Sequence, residues 1–317
     1  MGLIIPVASL CTDRYRPLQS LWLAGGLTVA SSFNDRPSRL FEGIEHARLA
    51  IVLHRGRTAP GDRRVFTTGY LKWTAAERPT LFERLTFVDS TEEVSDLGIP
   101  KIGRPIEAGV LRHVQAQPRQ LAHFLRKTGK APICYTRKLS HFVQILDFVP
   151  EIIDQNGERR EPSELKELRF DDQLTALAYL AFLNSSLFYW YLSVFSDCRN
   201  LNRRDVDAAP FDVELANSAS VERLAKLATE LMADFRKNSE MRAMSYASVG
   251  TLTIQCIFPR RSKPVIDEID RVLAEHYDFT SDELDFIHNF DVKYRIGRFA
   301  ADEESGDVSA EVPSVAG

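Results

Sequence analysis

From Ser31 to Arg55 the chain reads SSFNDRPSRLFEGIEHARLAIVLHR, turn-forming and basic residues running into a short apolar strand. Phe41 follows a Pro-Ser turn and precedes Glu-Gly, with Arg36, Arg39, Arg48 and Arg55 on either side of it. An aromatic ring held at a strand edge within a cationic surface can stack on an unpaired base. A core phenylalanine among ordinary solvated arginines fits the same composition.

Three further stretches carry the same kind of chemistry. Lys72 and Trp73 close an alternating segment, and Arg55 and Arg57 precede a Pro-Gly loop over Thr58 to Arg64. ICYTRKLSHFVQILDFV, from Ile133 to Val149, interleaves Tyr135, Arg137, Lys138, Ser140 and His141 with apolar residues. SDCRNLNRRDV supplies Arg199, Asn200, Asn202, Arg203 and Arg204. Cations and hydroxyls bond phosphate while planar and amide groups read base edges, so both stretches suit a duplex. An amphipathic hairpin, and a loop capping the next helix, are the competing accounts.

Other chemistry finds less support. Asp154 followed by Glu164-Leu165-Lys166 imitates the carboxylates and lysine of metal-dependent nucleases, but Pro162-Ser163 reads as a helix start rather than a strand. The seven histidines show no triad or metal spacing, and Cys11, Cys134, Cys198 and Cys256 form no CxxC. No catalytic or metal-binding residue is expected.

Length and composition allow two domains with cores of their own: 317 residues, 44% apolar and 26% charged. No apolar run approaches a membrane span and no signal-peptide plan opens the chain, so a cytoplasmic protein with no membrane contact is expected. Ala301 to Gly317 carries five carboxylates and no cation, and setting it aside turns the net charge from −4 to +1. This stretch reads as a disordered acidic tail. The body's cations fall in clusters, which suits a phosphate-contacting face.

These residues need elements to hold them. Leu3 to Val7 reads as a buried strand, Arg14 to Leu23 as a helix ended by Gly25-Gly26, and Leu27 to Ser31 and Leu49 to His54 as strands. Strands follow at Val65 to Trp73 and Leu81 to Val88, then a helical pattern over Glu107 to Lys127 that Pro118 must break. A hairpin over Ile133 to Val149 precedes an aromatic helix, Gln173 to Phe195, interrupted at Asn184-Ser185-Ser186. An amphipathic helix over Ser220 to Arg242, capped by Ser218 or Ser220, a strand over Leu252 to Phe258, and helices over Pro264 to Tyr277 and Ser281 to Asn289 complete the chain. The expected division is 1–56, 57–299 and a tail over 300–317, in a mixture of α/β and α+β character.

GLIIPVASL, the helix after it, SSFNDRPSRLFEG and ARLAIVLHR together resemble the late strands of the catalytic domain in γ-class, amino-group-directed adenine DNA methyltransferases, the TaqI-like and type IIG restriction-modification group. LNSSL with its polar loop, and the closing PVIDEIDRVLAEHYDFTSDELDFIHNFDVKYR, resemble the specificity domain and chain end of that group. The resemblance implies the last strands of a class I methyltransferase sheet followed by a mixed α+β target-recognition domain. It implies double-stranded DNA as partner and base flipping, with Phe41 stacking the extruded adenine and Arg36 and Arg39 holding nearby phosphates. It also implies S-adenosylmethionine for the complete enzyme. The chain departs from that family in lacking its Gly-containing donor loop and its (N/D/S)PP(Y/F) tetrapeptide: none of the fifteen prolines is adjacent to another. No cofactor is therefore expected on this chain alone, and a separate chain carrying the missing motifs is an expected partner. A non-catalytic DNA-binding or subunit-interaction protein is the alternative.

Overall fold

A computed structural model describes residues 1–44, 47–56, 62–137, 139–162 and 165–297. The fold is mixed α/β, with one mixed sheet, two smaller sheets and several helices. It divides into two compact units, Met1–Ala116 with Trp190–Arg199, and Gln117–Tyr189 with the chain from Asn200 onward. The expected tail lies outside the described residues.

The first unit is built on a five-stranded sheet. Its strands are β1 (Gly2–Pro6), β2 (Gly26–Phe33), β3 (Leu49–Arg55), β4 (Arg63–Leu71) and the short β5 (Val88–Asp89), in the order β1-β3-β2-β4-β5. β3 runs antiparallel to both β1 and β2, while β4 runs parallel to β2. β1, β2 and β4 therefore point the same way and end at the same edge of the sheet. The turn α1 (Ala8–Cys11) and helix α2 (Arg16–Leu23) connect β1 to β2. Leu10 and Trp22 bury against Ala30, Ala50, Val52 and Val65 on one face. Near the carboxy ends of β2 and β4 the opposite face is closed by Phe33, Leu40, Trp73 and Leu81.

The boundary expected after residue 56 falls between two strands of this sheet, because β4 and β5 complete it. Leu81 to Val88 does not form the expected strand. A 3-10 turn over Ala75–Thr80, containing Pro79 and closed by a Thr74–Glu77 capping box, starts a run of turns that leaves only Val88–Asp89 to pair. Pro118 acts as expected: α3 (Pro105–Gln115) ends before it. Buried Lys101 donates its ammonium to the carbonyls of Val194 (2.8 Å) and Ser196 (2.7 Å), so its charge meets carbonyl acceptors at a helix end.

In the second unit β6 (Ala131–Tyr135) lies between β7 (Ile145–Leu146) and β9 (Lys166–Phe170), and β8 (Ile152–Asp154) borders a hairpin. α4 (Gln173–Asn184) and α5 (Ser186–Phe195) are bent by 66° at Ser185. The Asn-Ser-Ser break has a cause: Asn184 exchanges two hydrogen bonds with the Ile145 backbone, and the Ser186 and Leu187 amides donate to the buried Asp270 carboxylate. The division into units falls inside α5, after Tyr189. α6 (Arg203–Asp207) and α7 (Ser218–Lys237) follow, the latter capped by Asn217 rather than by either serine. The helix expected to reach Arg242 stops at Lys237, where Glu240 begins β10 (Glu240–Tyr246), the partner of β11 (Gly250–Cys256). Gly250, at φ +76°, makes the turn. α8 (Lys263–His276), α9 (Ser281–Asn289) and α10 (Val292–Arg295) close the described chain. Among the described residues no single helix is long and apolar enough to cross a membrane.

Candidate nucleic-acid interface

The Phe41 loop rises from the sheet edge where β1, β2 and β4 end and β3 begins. In open sheets with parallel strands this is the edge at which ligands bind. The loop's neck is drawn together on both sides: Asn34 N donates to Leu71 O and Val7 N to Arg48 O, each at 2.9 Å. Asp35, 6% exposed, accepts from Arg48 Nε at 3.1 Å. Burial pulls the Arg48 pKa down, but nearby Tyr70, Asp35 and Cys198 more than offset this, so it is held charged above its ordinary value.

One residue anchors the loop and the next is presented. Leu40, 7% exposed, packs with Phe33, Trp73 and Leu81. Arg78 donates to the carbonyls of Arg39 and Leu40. Phe41 is then left 37% exposed, with Arg36 and Arg39 also exposed. Apolar burial of Leu40 therefore fixes the backbone that displays the aromatic ring.

Arg55 does not belong to this cluster. It ends β3, opposite Leu27 at the start of β2, whereas Leu49 at the other end of β3 pairs with Phe33. Six residue steps along a strand set it about 20 Å from the Phe41 edge. Lys72 follows β4 at the Phe41 edge and is half-buried. Arg57 lies outside the described residues.

The second unit holds the other candidates. The Leu201 amide donates to the Arg137 carbonyl at 2.9 Å, and Arg137 Nη2 reaches Asn202 Oδ1 at 3.4 Å. Two segments more than sixty residues apart in sequence are thus adjacent, Arg137 beside Asn202, Arg203 and Arg204. Asn202 and Asp205 form the capping box of α6, and Arg203 pairs with Asp207 at 2.6 Å. Arg203 is exposed and Asn200 and Arg204 are half-buried, while exposed Arg199 belongs to the first unit. Tyr135 is 1% exposed, so its ring is core rather than a surface for bases. Burial pushes its hydroxyl above the ordinary tyrosine pKa, offset in part by the Arg203 and Arg137 charges. His141 is half-buried, and its carbonyl accepts from Arg295 Nε at 3.1 Å. Lys138 lies outside the described residues.

Two acidic groupings have structural partners. Asp154 accepts from the Asn156 and Glu158 amides and pairs with Arg160, and Lys166 opens strand β9 rather than a helix, with Glu164 outside the described residues. Asp267, Asp270 and His288 converge to within 4.8 Å. Lys263 already bonds Asp267, however, and Asp270 caps α5, so the cluster is a neutralised network within the helical part of the unit.

Sequence reading did not identify Asp35, Leu40 and Arg78 as the residues that fix the loop. Asp35 beside a turn was a visible signal; nothing in the sequence links Arg78 to a carbonyl 38 positions earlier. Comparison with known proteins assigns no family: no family model matches the chain, and no curated protein matches it significantly.

Proposed function

We propose that this chain is the DNA-recognition portion of a site-specific, S-adenosylmethionine-dependent adenine-N6 DNA methyltransferase of a restriction-modification system, and that it is not catalytically complete by itself. The observation that carries this reading is the anchored loop that leaves Phe41 exposed, with Arg36 and Arg39 exposed on the same loop, at the carboxy edge of parallel strands. Phe41 supplies a stacking face for an adenine drawn out of the duplex, and the arginines hold the phosphates beside it. Arg137, Arg203 and Arg204 form a second cationic surface for the duplex backbone.

In this reading the methyl donor is not held by this chain. Gly25 and Gly26 sit in the turn between α2 and β2, and Gly26 lies against the Arg55 carbonyl, too close for any side chain. The donor loop and the tetrapeptide that holds the target amino group belong, in this reading, to another polypeptide, and both chains act in the cytoplasm.

Duplex binding at two salt concentrations tests the reading, wild type against Arg203→Ala with Arg204→Ala. Losing two phosphate contacts flattens the dependence of log affinity on log salt by about 1.8. Salt-sensitive binding with that change, indifferent to S-adenosylmethionine, supports it. Absence of duplex binding at both concentrations refutes it and leaves the subunit-interaction alternative.

A further inference from the structure

The sequence of the Phe41 loop recurs after β4. Arg36-Pro37-Ser38-Arg39-Leu40-Phe41-Glu42 returns as Arg78-Pro79-Thr80-Leu81-Phe82-Glu83, shorter by one residue. The sheet brings the two copies together, because they follow the carboxy ends of β2 and β4, neighbouring parallel strands on which Phe33 stands opposite Leu71. Leu40 and Leu81, 7% and 5% exposed, bury in one cluster with Phe33 and Trp73. Arg78 of the second copy donates to the Arg39 and Leu40 carbonyls of the first.

In each copy the leucine is anchored and the phenylalanine after it is exposed, Phe41 by 37% and Phe82 by 59%. Phe82 meets Phe33 edge-on, with ring centres 6.0 Å apart, which steadies the ring while most of it stays in water. Single exposed apolar residues are ordinary, but here one side chain is displayed twice, by the same anchor, from adjacent strand ends. The surroundings suit an anionic strand: Arg36, Arg39, Arg78 and Arg84 are exposed on these two segments, against exposed Glu42 and Glu83 and half-buried Glu77.

We propose that Phe82 is a second base-stacking position, so that this edge of the sheet takes two successive unpaired bases of one strand, the first on Phe41 and the next on Phe82. Every base has a π-face, and aromatic platforms set in a cationic surface hold successive bases of an unpaired strand without reading their identity. The arginines of the two copies meet the phosphates between and beside those bases. The proposal rests on the DNA reading and extends its ligand from one extruded adenine to a strand with two adjacent unpaired bases.

Fluorescence anisotropy of the full chain tests this with duplexes that carry no, one or two adjacent unpaired adenines. Phe82→Ala should weaken binding to the two-adenine duplex about 5- to 150-fold and leave the one-adenine duplex unchanged, whereas Phe41→Ala should weaken both. Phe82→Tyr keeps a planar face and should bind as wild type does. Phe82→Leu keeps an apolar contact for Phe33 but offers no face, and should bind like Phe82→Ala. Urea denaturation of each variant separates lost binding from lost folding, and Phe82→Leu carries the test if Phe82→Ala does not fold. Two-adenine binding by Phe82→Leu equal to wild type, or an equal loss on all three duplexes, overturns the proposal. In either case a Phe41→Ala loss on the one-adenine duplex leaves the DNA reading standing, while wild-type binding to none of the duplexes sinks both.

Discussion

Leu40 and Phe41 are neighbours with opposite burial, and on the proposed reading that difference separates a structural from a recognition role. Truncating Leu40, 7% exposed among Phe33, Trp73 and Leu81, removes packed methyl groups and leaves a cavity. The expected loss is about 2 to 5 kcal/mol of stability. Phe41→Ala removes a ring already 37% exposed, so its effect on stability should stay below about 1 kcal/mol. Its effect on an unstacked base should instead be the loss of one aromatic platform, ~1 to 3 kcal/mol, or about 5- to 150-fold in affinity. The assay is fluorescence anisotropy with a duplex holding one extrahelical adenine, beside a fully paired control, together with urea denaturation of each variant. Phe41→Tyr should keep binding because it keeps a planar face, whereas Phe41→Leu should bind like Phe41→Ala. Equal stability losses for Leu40→Ala and Phe41→Ala, or binding by Phe41→Leu equal to wild type, would refute the assignment of Phe41 as the stacking residue.

The Arg295 guanidinium lies 4.3 Å from the Phe142 ring centre and 4.9 Å from that of Tyr189, and donates to His141 O. Arg295→Met should cost roughly 2 to 4 kcal/mol by urea denaturation, and Arg295→Lys should not rescue it, because an ammonium cannot stack flat between two rings. Burial lowers the His276 pKa, so the native state prefers the neutral ring beside Phe211 and Tyr277. Its stabilising contribution is present above the unfolded value near 6.5 and is lost as pH falls through the lower folded value. The melting temperature should therefore drop on acidification by more in wild type than in His276→Gln. The Cys134 thiol is pushed up to about 11 by burial and by the Glu167 and Asp147 charges. Alkylation of the folded protein at pH 8 should be about 100-fold slower at Cys134 than at an ordinary thiol. Stability should begin to fall above pH 9, where the unfolded thiol ionises first, by more in wild type than in Cys134→Ala.

What the sequence makes legible here is local, and its errors mark where long-range geometry takes over. β1, α2, β2 and β3 lie close to where apolar periodicity and the Gly25-Gly26 punctuation put them, and Pro118 ends α3 as its chemistry requires. Only thirteen residues separate Arg55 from Phe41 in the chain, yet an extended strand carries it to the far edge of the sheet. The expected boundary after residue 56 lies just past the end of β3, whereas β4 is held by hydrogen bonds to β2, with partners such as Gly26 and Arg63 or Phe33 and Leu71 far apart in the chain. Tyr135 shows the same limit: cations lie near it in sequence, but β6 is buried on both faces from Ile133 to Tyr135, so the ring lies in the core. Burial also reassigns the arginines. Arg48 holds the loop's neck through Asp35 and Arg295 spans two rings, while Arg36 and Arg39 stay exposed on the loop that carries Phe41. A substitution series at these four positions should divide accordingly: Arg48→Ala and Arg295→Ala lose stability, and Arg36→Ala and Arg39→Ala lose duplex affinity at unchanged melting temperature. That division follows from burial: the Arg48 and Arg295 guanidiniums are largely withdrawn from water, whereas Arg36 and Arg39 are exposed, and an exposed charge contributes little to folding whatever it touches.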